Sequence, residues 1–143
     1  MNHKKHPFIL DNNLNNPQLN DYLPRSAKTT VECGLKPHDK DPLIVELCQR
    51  NHAILVTADL EFLKHFHDYQ RSHNRCCWGL VMLPGEKLKQ VEVLNKIKKG
   101  KLRLRHDRLE PFTFEDVRQC NLYVNLRADP PQIDEICDCE WIG

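Results

Sequence analysis

Apolar residues follow two periods along this chain, and the two alternate. "AILVT" (53–57) is apolar at nearly every position, which predicts a strand buried on both faces, as in a parallel sheet covered by helices. "HPFILD" (6–11) predicts a short buried strand that ends on an acid, the β-branched "KTTVEC" (28–33) a second strand, and "WGLVML" (78–83) another. Between them the spacing turns helical. "DPLIVELCQRNH" (41–52) predicts a helix capped by Asp41, with Pro42 at the first helical position and Leu43, Ile44, Leu47 and Cys48 as its apolar stripe. "LEFLKHFHDYQ" predicts a second helix, with Leu60, Leu63, Phe66 and Tyr69 on its apolar side. "PGEKLKQVEVLNKIKKG" predicts a third, with Leu88, Val91, Leu94 and Ile97 spaced by three and Gly100 as its stop. "NNPQLNDYLPRS" holds a short helix broken near Pro24, and "GLKPHDK" is a loop.

The alternation of strand and helix predicts an α/β domain, a three-layer α/β/α sandwich with a mainly parallel central sheet. After Gly100 the pattern weakens. "KLRLRH" alternates as an edge strand or arm, and "EPFTFEDVRQCNLYVNL" reads as one strand or as a short strand plus a helix. The main domain is drawn over residues 1–118. Residues 119–143, broken by Pro130 and Pro131, are drawn as an accessory tail.

Length and composition agree with this picture. A chain of 143 residues, 40% hydrophobic and 29% charged, suits one globular domain that buries a core without covalent staples. No run of about 18 apolar residues is present, so no membrane-spanning helix is expected. The apolar patch near the N-terminus, Phe8 to Leu10, is too short for a secretory signal, and a cytoplasmic protein is expected. Seven cysteines without framework spacing read as reduced thiols and small core residues.

The net charge of +1 hides a division. Glu86 to Arg108 carries nine Lys and Arg against three acids, whereas residues 128–143 carry five acids and no Lys or Arg. Lys96, Lys98, Lys99, Lys101, Arg103 and Arg105 are candidates for contact with a phosphate backbone. The same lysines also suit a solvated helix end, where they complement the dipole.

The chemistry gathers where strands end. In open α/β sheets ligands bind beyond the carboxyl ends of the strands. Asp11 follows "FIL", Asp59 follows "ILVT" at two residues' remove, Asp41 opens a helix that leads back into the sheet, and Glu61 lies two residues past Asp59. Carboxylates gathered at one rim repel one another and raise each other's pKa. A hard divalent ion, Mg²⁺ or Mn²⁺, removes that cost, and an ion so held activates water and stabilises in-line phosphoryl displacement. Each acid also has a plain structural use. Asp41 and Asp59 suit helix caps, Asp11 in "DNN" suits an Asx-turn, and Glu61 suits a first helical turn.

On these residues the chain resembles the PIN-like superfamily of metal-dependent ribonucleases, in particular its small bacterial members. The resemblance rests on "LDNNL" (10–14), "KDPLIVELC" (40–48), "ILVTADLEF" (54–62) and the following "GLVML", in that order, and covers roughly residues 7–100. It implies that Asp11, Asp41 and Asp59 surround Mg²⁺ or Mn²⁺, with Glu61 as a fourth acid where the family more often has Asp. Asp39 is a rival for Asp41. Thr57 and Asn12 are supporting groups, a hydroxyl and an amide that orient a carboxylate or a water. The resemblance further implies cleavage of RNA to 5′-phosphate and 3′-hydroxyl ends. Because the family includes toxins of toxin–antitoxin pairs, an antitoxin partner and a homodimer are among its implications.

Two other readings compete with the nuclease: a non-catalytic PIN-like module that binds RNA or a partner protein, and a receiver-type α/β protein that handles phosphate. Zinc is a weak candidate, since Cys120, Cys137 and Cys139 lack paired spacing. His65 and His67, two residues apart on one helix, do not face each other, which argues against a joint ligand role.

Overall fold

The computed structural model describes residues 8–11, 14, 17–23, 27–36, 41–73, 79–102, 111, 113, 122–127 and 132–135. In chain order these form β1 (Phe8–Leu10), a 3₁₀-helix (Pro17–Asp21), β2 (Lys28–Thr29), α1 (Asp41–Arg50), β3 (Ile54–Thr57), α2 (Glu61–His73), β4 (Leu80–Met82), α3 (Lys87–Lys98), β5 (Leu122–Asn125) and β6 (Gln132–Glu135). The strands make one six-stranded sheet in the order β2-β1-β3-β4-β5-β6. All neighbours are parallel except β6, which runs antiparallel to β5. Leu122–Asn125 and Gln132–Glu135, within the segment drawn from sequence as a tail, thus supply two strands of the same sheet.

The strands read as continuously apolar because both faces are covered, with alternate residues serving opposite layers. Ile9, Leu55, Leu80 and Met82 pack with Ile44, Val45, Leu47 and Cys48 of α1 and with Phe62 and Phe66 of α2. Phe8, Leu10, Ile54, Val56, Val81 and Val124 pack with Leu94 and Ile97 of α3 and with Leu19 and Leu23 around the 3₁₀-helix. Helices therefore lie against both sides of a mainly parallel sheet.

Two helices end in the same way. Gly100 takes a left-handed φ of 69° after α3, and its N–H and that of Lys101 donate to the carbonyls of Ile97 and Lys96 at 3.1 and 2.8 Å. This is a Schellman end, for which glycine is suited. After α1 the left-handed position is taken by His52, φ 51°, with its N–H donating to Gln49 and that of Ala53 to Cys48. The reversal is tight enough that β3 begins at Ile54.

Several expectations from sequence are corrected. "KTTVEC" is strand only at Lys28–Thr29. Glu32 accepts from the Thr29 hydroxyl and amide, while its own N–H donates to Thr29 Oγ1, and these bonds curl residues 30–34 into a turn. Asp41 is the first residue of α1 rather than its cap. Leu43 and Leu60 are exposed, and Val45 and Phe62 take the buried places beside them. Leu88 is 76% exposed although Leu94 and Ile97 are buried. A spacing of three drifts by about 60° per step around a helix of 3.6 residues per turn, so Leu88 lies on the far side from Ile97. Arg103, Arg105, Asn12, Asp39 and the cysteines at 120, 137 and 139 lie outside the described residues.

Candidate functional site: a carboxylate and imidazole cluster at the switch point

From β1 the chain moves to β2 on one side, then returns through α1 to β3 on the other. The sheet order thus reverses between β1 and β3, and their carboxyl ends flank the crevice that such a reversal opens. Two of the candidate acids follow these ends. Asp11 extends the ladder, its N–H donating to Val56 at 2.9 Å, and its side chain is 2% exposed. Thr57, the last residue of β3 and fully buried, donates its hydroxyl to Asp11 Oδ2 at 2.8 Å. The same Thr57 oxygen accepts the Asp59 N–H at 3.1 Å, and Asp59 Oδ1 accepts the Glu61 N–H at 3.0 Å. One hydroxyl therefore links β1, β3 and the start of α2. Asp59 does cap α2, as its position allows.

A second group forms where α1 meets α2. Ligand-capable atoms of Asp41, Glu61 and His65 all lie within 4.8 Å of one another. Asp41 opens α1, while Glu61 and His65 share a face of α2 at i and i+4. His65 Nε2 stands 3.5 Å from Asp41 Oδ2, and its ring meets the edge of buried Phe62 at a centroid distance of 6.0 Å. Burial pushes the Asp41 carboxyl above the usual carboxylate range, and the charges of Asp59, Asp11 and Glu61 push in the same direction. His65 pulls the other way. All four candidate acids thus act on one electrostatic neighbourhood, although the tight group consists of Asp41 and Glu61 with a histidine.

The donor set fits a divalent cation. Carboxylates are ligands for hard divalent ions, and imidazole is a ligand for ions that also accept nitrogen, so this group of three could hold a metal ion. Like charge that raises the Asp41 pKa is the strain that such an ion relieves.

Asp11 and Asp59 instead line an adjoining pocket of about 250 Å³, together with Leu14, Ala58, Lys87 and Gln90. Gln90 is buried and held by donation to the Pro84 carbonyl at 2.8 Å. Lys87 opens α3 and places a cation at this pocket. The lysines expected to bind nucleic acid stand elsewhere. Lys96, Lys98, Lys99 and Lys101 surround the other end of α3, about 15 Å of helix rise away. Lys98 donates to the Asp21 carbonyl at 3.1 Å and lies over the Tyr22 ring at 5.5 Å.

Sequence reasoning weighed His65 only as a partner of His67 and passed over Lys87. The Glu61–His65 spacing of one helical turn was the signal for the first. For the second it was the position of Lys87 at the head of a helix that follows a buried strand.

No protein-family model, curated protein or solved structure matches this chain.

Proposed function

We propose that the protein is a metal-dependent endoribonuclease of the PIN-like type, using Mn²⁺ or Mg²⁺ to hydrolyse RNA phosphodiester bonds. One observation carries this reading: two carboxylates and an imidazole converge within 4.8 Å beside the Asp11–Thr57–Asp59 relay, at the reversal of strand order. Asp41, Glu61 and His65 would hold the ion, which would supply acidification of water and neutralisation of charge on the phosphoryl oxygens. Thr57 holds the Asp11 carboxylate in one orientation at the floor of the adjoining pocket. Lys87 offsets the negative charge of that pocket and attracts the backbone of the polyanion. In the hydrolysis, water oxygen bonds to phosphorus and the bond to the 3′ oxygen breaks.

The test is cleavage of a mixed single-stranded RNA pool with Mn²⁺, comparing wild type with Asp59→Asn and Asp41→Asn, their folding checked by circular dichroism. Cleavage by wild type that both folded variants lose supports the nuclease. RNA binding without cleavage at any metal concentration returns the reading to a non-catalytic module. Growth arrest on expression, relieved by Asp59→Asn, supports a role as a toxin with an antitoxin partner.

A receiver-type reading is favoured by one observation, the 2-1-3-4-5 order of the parallel strands with acids after β1 and β3. It predicts a phosphoryl adduct on Asp59 after incubation with a small phosphoryl donor, read by mass spectrometry. The nuclease reading predicts none.

A further inference from the structure

A second groove, also of about 250 Å³, runs between α1 and α2 and shares His65 with the cluster. Its lining includes Glu46, Asp68, Tyr69, Ser72 and His73. Tyr69 and His73, one turn apart on α2, are stacked with ring centroids 3.9 Å apart and planes 17° from parallel. His73 Nδ1 lies 3.0 Å from the Tyr69 carbonyl. A carbonyl only accepts, so Nδ1 carries the hydrogen and Nε2 is the acceptor of the neutral ring. The pair is thereby held as a preformed aromatic platform, the kind of surface on which bases of single-stranded nucleic acid stack.

The polar groups of the groove restrict what stacks there. Carboxylates disfavour a phosphate but accept from the donor edge of a base. Arg71 touches Asp68 Oδ1 at 3.5 Å, an exposed pair of little strength that does not commit the carboxylate. Guanine presents adjacent N–H donors that match a carboxylate's two oxygens, whereas cytosine and adenine present a single amino group and uracil one ring N–H. The position also fits, because the groove shares His65 with the cluster, so that a base in the groove and a phosphate at the cluster are separated by about the length of a ribose.

We propose that this groove is a nucleobase subsite that takes guanine in preference to the other bases. The proposal rests on the ribonuclease reading, and it narrows the substrate to RNA with a guanine next to the cleaved phosphate.

The experiment is an NMR titration of the metal-free protein with GMP, AMP, CMP and UMP, which share a phosphate and differ in base. GMP is expected to shift signals of residues 65–73 and to bind about tenfold more tightly than the others. Asp68→Asn, a surface change, should remove the preference, and Tyr69→Ala should weaken all four nucleotides. Equal affinities, shifts elsewhere in the molecule, or a preference that survives Asp68→Asn would overturn the proposal. Groove signals that respond to N-acetyl-arginine amide and to no nucleotide would assign the groove to a basic protein partner and overturn it as well. The two readings fail separately. RNA cleavage without base binding removes the subsite alone, and GMP binding without cleavage removes the nuclease alone.

Discussion

The Thr57 hydroxyl donates to the Asp11 carboxylate across 46 residues of sequence, and this 2.8 Å bond ties the ends of two adjacent parallel strands together inside the core. Its oxygen also receives the Asp59 N–H, so both hydrogen-bonding capacities of one buried side chain serve the candidate site.

Thr57→Val keeps the shape and removes both bonds. Loss of a buried hydroxyl donor to a carboxylate costs about 1–3 kcal/mol. The urea midpoint should fall by the corresponding amount with an unchanged slope. RNA cleavage should drop as Asp11 and Asp59 lose their common anchor. A midpoint equal to that of wild type would show that the relay contributes nothing to stability.

His65→Ala separates the metals. Removing one nitrogen ligand from a site of two carboxylates should weaken Mn²⁺ about tenfold or more, with a smaller effect on Mg²⁺, whose preference is for oxygen. Calorimetry with each ion measures this. Equal losses for both ions would place the imidazole outside the coordination sphere.

The response to pH follows from Asp41, whose carboxyl is raised above its ordinary value chiefly by burial and next by Asp59. Folding favours its protonated form. Its contribution to stability is therefore fully present below the ordinary carboxylate value and is lost as pH rises through the raised one. A cation must displace that proton. The thermal stabilisation given by Mn²⁺ should therefore grow as pH rises from the ordinary carboxylate value through the raised one. Asp41→Asn should flatten this rise, and an increment in wild type that is constant over the range would contradict it.

His52→Gly tests the joint before β3. A non-glycine residue in the left-handed region costs roughly 1–2 kcal/mol, which glycine avoids. Part of that gain is returned as entropy of the unfolded chain. A net stabilisation of about 1 kcal/mol is expected by thermal or urea unfolding. A loss of stability would show that the imidazole makes contacts worth more than the strain.

Much of this was written locally. The unbroken apolar run of "ILVT" identified β3 as buried on both sides, because no polar residue interrupts either face. Asp11 and Asp59 could be placed at strand ends because the first directly follows such a run and the second follows one after Ala58. The same local signal misplaced Leu88, since a regular spacing of three looks like a stripe although it winds around the helix. It also extended β2 through a segment that Glu32 and Thr29 turn back on themselves.

The sequence by itself determined β1, β3 and β4 as strands and α1 to α3 as helices, since hydrophobic period acts over a few residues, but it left β5 open and gave no sign of β6. It also determined that acids follow the buried strands. Tertiary structure alone decided that β3 lies beside β1 rather than beside β2, opening the crevice at Asp11, and that α2 lies against α1, bringing His65 to Asp41. Those choices depend on which apolar faces bury each other across the whole fold, and neither strand order nor helix contact is encoded in a local spacing.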